Sequence, residues 1–358
     1  MWGLWELAAT PFKKCLLSWK LNIPENIPLL KVRIDSFKKY NYCGKFKRSD
    51  YFTMEDYMLR AMTKDGQIRI YAAVTTNTVA YAKKVHDLFP TPAVALGRTL
   101  TAAAMMSGTL KSEKSTITIQ IKGDGPLGGI LAVTDARSNV RGYVHNPYLD
   151  MPLNDKGKFD IAGAVGKGYL DVITDLGLKE PYIGRVKLVS GEIAEDITYY
   201  YAVSEQTPTV TSLGVLVDRN GDIVNSGGIF IQLMPGCSEE DISWLEKCVE
   251  KMPPITKMLA PDRTLENILD EVLPGKELVY LDTRPVRFKC TCSRERMERN
   301  LLSLGIKDLE EIAADNKETE LVCHFCRSKY VFSPSEIREI FERAKQEKNT
   351  EGNEQVKE

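Results

Sequence analysis

The chain has 358 residues, 43% hydrophobic and 27% charged, with a formal net charge of −1. That balance is ordinary for a globular protein with one large core or two smaller ones, and it excludes a global basic field that would draw the chain to nucleic acid. Eight cysteines at this length are too few for a secreted disulfide scaffold; clustered pairs in a reducing compartment point instead to metal binding or redox chemistry.

The first 53 residues differ from the rest. They carry ten Lys/Arg against four Asp/Glu, a net of +6, so the remainder nets −7. The start lacks a charged n-region and has only a short apolar run, which makes a poor secretory signal, and the stretch is too poor in Arg for a transit peptide. Residues 1–53 are therefore expected to be a doubtful N-terminal extension, with Met54 as the natural start.

A regular pattern begins at Met54. Residues 66–76 read as a strand, and 78–89 and 92–110 as helices, the second with Pro92 in its first turn. The stretch 92–110 is the longest apolar one; Arg98 interrupts it, and it reads as a buried helix rather than a membrane span. Residues 115–122 alternate strictly and form the clearest strand, followed by strands at 130–134 and 140–144. Later strands are expected at 184–190, 197–203 and 228–234, and a helix at 207–218. Gly123, Gly125 and Gly128 match the dinucleotide fingerprint by letter, but a β-branched run follows them where a helix would have to begin, so they read as a hairpin connection. Strands and helices mix without βαβ regularity. The fold class is therefore an α+β core domain, with a helical linker and a small C-terminal zinc-binding domain.

The linker is expected over 235–283. Ser238 with Asp241 reads as a capping box for a helix bearing Ile242, Leu245, Val249 and Met252 on one face, stopped by Pro253 and Pro254. Thr264 is expected to cap a second helix bearing Leu265, Ile268, Leu269 and Val272. Two ordinary packed amphipathic helices account for this pattern. Such short, proline-broken helices are also marginal alone, so they would expose apolar faces if released.

Cys290 and Cys292 form a CxC pair, Cys323 and Cys326 a CxxC pair, and thirty residues separate them. Four thiolates in two close pairs can surround one tetrahedral zinc ion. The second pair has ordinary zinc-knuckle spacing; the first is one residue tighter, which a purely structural site does not need. His324 reads as a neighbour rather than a ligand, and Cys237 and Cys248 as small core residues. Cys15 and Cys43 lie in the extension.

From Met54 to about Lys345 the chain resembles the thirty-three-kilodalton redox-regulated heat-shock chaperones of bacteria, the holdase chaperonin family. The stretches that carry the resemblance are Asp65 to Arg69, Ala95 to Leu100, Lys122 to Gly128, Val140 to Val144, and the CxC and CxxC pairs. The resemblance implies a client-binding core over 54–234, the linker over 235–283 and a zinc switch over 284–345; residues 346–358, beyond it, are expected to be a disordered tail. It implies a cytoplasmic, ATP-independent holdase that is no enzyme and engages neither nucleic acid nor membrane. It implies that in the reduced state one zinc ion bound by Cys290, Cys292, Cys323 and Cys326 keeps the protein inactive. It also implies that oxidation releases zinc, forms the disulfides Cys290–Cys292 and Cys323–Cys326, unfolds the linker and yields a homodimer that binds unfolding proteins.

Two rival readings come from other classes. A nucleic-acid-binding zinc module is suggested by Arg284, Arg287, Lys289, Arg294, Arg296 and Arg299, yet residues 284–345 hold thirteen Lys/Arg against eleven Asp/Glu, without interleaved aromatics. A zinc enzyme needs an open coordination position, which four cysteines close. A chain beginning at Met54 is expected to match the full chain in thermal stability and client protection; a large loss of either would make residues 1–53 part of the working protein.

Overall fold

The computed structural model describes residues 55–260 and 262–354. The proposed extension over 1–53 lies outside the described residues. The chain divides at Lys289/Cys290 into two compact units.

The first unit is built on two sheets. Strands β1 (Tyr57–Thr63), β2 (Ile68–Val74), β8 (Thr209–Val217), β9 (Ile223–Leu233) and β10 (Leu278–Pro285) form an antiparallel sheet in the order β10-β1-β2-β9-β8. Strands β3 (Thr116–Gly123), β4 (Ile130–Asp135), β5 (Asn139–Val144), β6 (Gly168–Asp175), β7 (Tyr182–Lys187) and β11 (Arg287–Phe288) form the second, in the order β11-β5-β4-β3-β6-β7. The expected hairpin joins β3 to β4, with Ile121 opposite Ile130. Helix α1 (Thr76–His86) leads into α2 (Pro90–Met106), which packs on strands of both sheets. Every residue of α2 except Pro90 and Arg98 is buried, as expected of a helix with apolar or small residues on all sides. Arg98 meets Glu192 in an ion pair at 2.6 Å.

Two segments differ from their sequence patterns. Residues 197–203, rich in β-branched and aromatic side chains, lie in α4 (Ala194–Val203), after the short helix α3 (Ile161–Val165). Asp196 decides this: its carboxylate accepts backbone N–H groups of Val189, Ser190 and Ile193, which holds the helix start, and Ile197, Tyr200 and Tyr201 enter the core at helical spacing. Residues 207–218, read as a helix, instead contain β8, paired along β9 from Thr209↔Gln232 to Val217↔Ile223. Pairing overrides weak helical propensity there.

The five-stranded sheet is apolar on both faces. On β2, Tyr71 and Ala73 join the core around α2, whereas Ile68, Ile70 and Ala72 face the other way; on β9, Phe230 faces α2 and Ile229, Ile231 and Leu233 face away. That outer face is covered by α5 (Glu239–Lys251), α6 (Ile255–Met258) and α7 (Leu265–Val272), through Leu245, Cys248, Ile255, Met258, Leu265, Ile268 and Leu269. Residues 278–283, assigned by sequence to the helical linker, belong to β10.

The second unit contains α8 (Arg294–Leu302), α9 (Ile306–Ala314), the hairpin β12 (Thr319–Val322)–β13 (Lys329–Phe332), and α10 (Pro334–Glu354). Residues 346–354 are thus helical, in contrast to the disordered tail expected there. Met297, Leu301, Leu309, Phe332, Ile337, Ile340 and Phe341 form its core. Ser333 and Glu336 cap α10 reciprocally: the Ser333 N–H donates to Glu336 Oε2 at 2.8 Å and the Glu336 N–H to Ser333 Oγ at 3.4 Å.

Gly108, just after α2, tests the packing between the sheets. A Cβ there would lie 2.5 Å from the ring of Tyr71, which is fully buried. Gly108→Ala is expected to destabilise by about 1–3 kcal/mol through overpacking, read as a lower urea midpoint at an unchanged slope.

Candidate metal centre

Cys290 and Cys292 stand in the connection between β11 and α8. Spacing by two along a non-helical segment points both side chains the same way. Arg296 holds the loop between them, its guanidinium donating to the Thr291 carbonyl at 3.1 Å and hydroxyl at 2.6 Å, while Ser293 caps α8 by accepting from the Arg296 N–H. Cys323 and Cys326 stand in the tight turn between β12 and β13. The Cys323 N–H donates to Ser328 O at 2.9 Å, the Arg327 N–H donates to Cys323 O at 2.8 Å, and Arg327 takes the left-handed conformation, with φ 57°, that closes the turn.

The four sulfurs lie within 4.8 Å of one another. Cys290 Sγ is 3.7 Å from Cys323 Sγ, and Cys292 Sγ is 3.3 Å from Cys326 Sγ. A tetrahedral ion with metal–sulfur bonds of about 2.3 Å sets sulfurs about 3.8 Å apart, so the donor set fits such an ion. All six described cysteines are free thiols. His324 is exposed and outside the four-sulfur group.

The thiols are not equivalent. Burial pushes Cys290 and Cys323 up. At Cys326 burial also raises the thiol, but the Ser328 hydroxyl and N–H, with Cys292 and Cys290, outweigh it and bring it to about 7. Four thiolates this close repel one another, and a divalent cation among them offsets that repulsion and the desolvation.

The cover over the sheet's outer face is held by polar groups that the sequence pattern does not single out. The Ser238 hydroxyl accepts from the Asp241 N–H at 3.1 Å, one half of the expected capping box. The other half is replaced: the Ser238 N–H donates to Gln67 Oε1 at 2.7 Å, and the Asp241 carboxylate pairs with Lys276. Lys276 Nζ also reaches Asp65 Oδ2 at 2.9 Å and lies 5.7 Å from the centre of the Trp244 ring. Lys276 therefore ties α5 to the β1–β2 turn. Tyr57 OH accepts from the Leu265 N–H at 2.9 Å, and Asn225 donates to the carbonyls of Thr256 and Leu259 at 3.0 and 3.1 Å. As expected, Thr264 caps α7, whose Leu265, Ile268, Leu269 and Val272 are buried. On α5 the buried apolar residues are Leu245 and Cys248, while Ile242, Val249, Met252 and Cys237 are half-buried against the same cluster.

A mixed α/β core with an apolar sheet face under three short helices, followed by a unit holding four clustered thiols, is the architecture of a particular class of chaperone. The family model described as Hsp33 protein matches residues 56–333. The 33 kDa chaperonin of Acetivibrio thermocellus is 55% identical over 284 residues, covering 79% of this chain and 96% of that protein. The 33 kDa chaperonin of Ruminiclostridium cellulolyticum is 52% identical over 287 residues, covering 80% of this chain and 98% of that protein. The crystal structure of the 33 kDa chaperonin from Thermotoga maritima superposes with a TM-score of 0.74 at 38% identity, covering 80% of this chain and 98% of that one. The chain belongs to the Hsp33 family and is a chaperone. No helix among the described residues is long and apolar enough to cross a membrane.

The Lys276 tie has a pH signature. Lys276, then Thr63 and the Gln67 N–H, hold the Asp65 carboxyl down at about 2, below its usual value of 3.8. A depressed folded value stabilises above the unfolded value and is lost as pH falls toward the folded one. The stability gap between wild type and Asp65→Asn is therefore expected to be full, at about 0.2–1 kcal/mol, from pH 5 to 7, as for an exposed pair. It should close between pH 4 and 2, measured as urea midpoints at each pH. A gap that widens on acidification would contradict the assignment.

Proposed function

We propose that this chain is a redox-switched, ATP-independent holdase of the cytoplasm, inactive when reduced and metal-bound and active when oxidised. The observation that carries this reading is the cover on the five-stranded sheet. Helix α7 has eight residues and α6 has four, far below the length at which isolated helices persist in water. They hold their shape mainly through burial against the sheet, each fully buried Leu or Ile contributing about 1.5–3 kcal/mol. Undocked, the segment would unfold and bare Ile68, Ile70, Ile229 and Ile231 together with its own apolar residues, a surface suited to unfolding clients.

The cysteine cluster is the natural trigger. Zinc is the ion best matched to four thiolates in a closed tetrahedral shell, and such sites contribute about 10–16 kcal/mol of apparent folding free energy to small metal domains. Cys290, Cys292 and Cys326 are half-buried against the core of the second unit and Cys323 is buried within it, so these side chains form one wall of that core. Each of the pairs Cys290–Cys292 and Cys323–Cys326 closes when two thiolates and one hydrogen peroxide yield a disulfide and two hydroxide ions. Sulfurs paired this way no longer hold an ion between the two loops, and the wall is lost. The chain runs from Cys290 back through β11 and β10 to α7, and loss of the second unit's fold is the step proposed to release the cover. Exposed apolar surface on two copies then favours a homodimer. Thioredoxin-class reductants with zinc restore the resting state, since small-ring disulfides are readily reduced.

Reduced protein is expected to bind one zinc ion, and Cys326→Ser to retain it far less well, by metal analysis after dialysis against chelator. Peroxide should confer suppression of client aggregation together with loss of hydrogen-exchange protection over 239–272, and disulfide mapping should find Cys290–Cys292 and Cys323–Cys326. Holdase activity with those amides still protected would sink the undocking step. Disulfides across the loops, Cys290–Cys323 and Cys292–Cys326, would overturn the pairing.

A further inference from the structure

The four sulfurs receive different hydrogen bonds. Cys290 takes the Cys292 N–H, and Cys323 the N–H groups of Phe325 and Cys326, all from within their own loops. Cys326 Sγ and the Ser328 hydroxyl, two residues along the same turn, share a hydrogen bond at 3.2 Å. Cys292 alone among them has a hydroxyl donor from a distant strand: Tyr330 OH donates to its Sγ at 3.1 Å across 38 residues of sequence. Tyr330 stands on β13 opposite Leu321 of β12, half-buried against the core of the second unit. A ring on a paired strand, with two rotatable side-chain bonds, presents its hydroxyl from a fixed place.

We propose that Tyr330 is a positioning residue that restrains oxidation of Cys292 and so sets the oxidant threshold of the switch, an inference that rests on the redox reading above. In the oxidation step the Cys292 thiolate attacks a peroxide oxygen: the S–O bond forms, the O–O bond breaks, and hydroxide leaves. The Cys290 thiolate then attacks the resulting sulfenic sulfur, the S–S bond forms, and a second hydroxide leaves. Two electrons pass from the sulfurs to the peroxide. The Cys292 sulfur loses negative charge as the S–O bond forms and becomes a weaker acceptor, so the phenol hydrogen bond at 3.1 Å has to loosen on the way. Giving up part of a hydrogen bond to a charged group on the way to the transition state places the restraint at about three- to tenfold in rate. The Ser328 hydroxyl acts on the other pair and leaves Cys292 to Tyr330.

The test uses the full reduced chain loaded with zinc. Tyr330→Phe keeps the ring and deletes only the hydroxyl. After a peroxide pulse, free thiols are alkylated and Cys292 is quantified by mass spectrometry, with zinc release followed by a chelating dye. The Phe variant is expected to match wild type in zinc content and circular dichroism before peroxide, and to lose the Cys292 thiol about three- to tenfold faster. 3-Fluorotyrosine at 330, a stronger donor in the same ring, is expected to slow that loss, and decides the matter if the Phe variant binds zinc poorly. An unchanged or slower rate in the Phe variant, or no slowing by fluorotyrosine, overturns the role of Tyr330 while leaving the switch intact. If wild type itself keeps the Cys292 thiol and its zinc under peroxide, the redox reading fails, and the role of Tyr330 with it.

Discussion

A sheet that is apolar on both faces has to be covered twice, and the two covers here are of unequal strength. On one side lies α2, seventeen residues long and buried on nearly every side between two sheets. On the other lie three helices, one of four residues and one of eight, joined through Pro253 and Pro254. The first cover cannot leave without dismantling the core. The second touches the molecule on one face only, and most of what holds it is burial of aliphatic side chains, with a few polar ties at Gln67, Asp65, Tyr57 and Asn225. Nearly all its helical stability is tertiary in origin. Its short helices would not keep their shape away from the sheet.

The second unit carries the thiol chemistry. Its core is small, and the cysteine side chains are part of it. A compact unit of this size gains a large share of its stability from whatever occupies the space between four sulfurs. Burial raises Cys290 and Cys323, whereas the hydroxyl and N–H of Ser328 bring Cys326 down. An ion satisfies all four at once, and oxidation of either pair removes the charge that bound it.

Much of this was legible in the residues alone. The CxC and CxxC pairs announce one site because thiolate side chains in two close pairs have few other uses in a reducing compartment. The long apolar helix, the strictly alternating strand and the caps at Ser238 and Thr264 were also local signals, carried by periodicity and by side chains that bond their own backbone. The segments that misled were those where local preference and packing disagree. Ile197 to Val203 has strand-like composition, yet the Asp196 carboxylate organises the backbone before it into a helix start; Thr209 to Val217 is a strand because β9 offers an edge to pair with.

What the sequence by itself determined is the inventory: which thiols can share an ion, which helices are short, and where prolines break them. Only the tertiary structure decided which surfaces those helices hide and which distant groups reach the sulfurs. Lys276 meets Asp65 across 211 residues and Tyr330 meets Cys292 across 38. Neither contact leaves a periodic or spaced trace in the chain, because a single hydrogen bond between elements depends on strand register and helix docking, and these follow from the burial of many side chains at once.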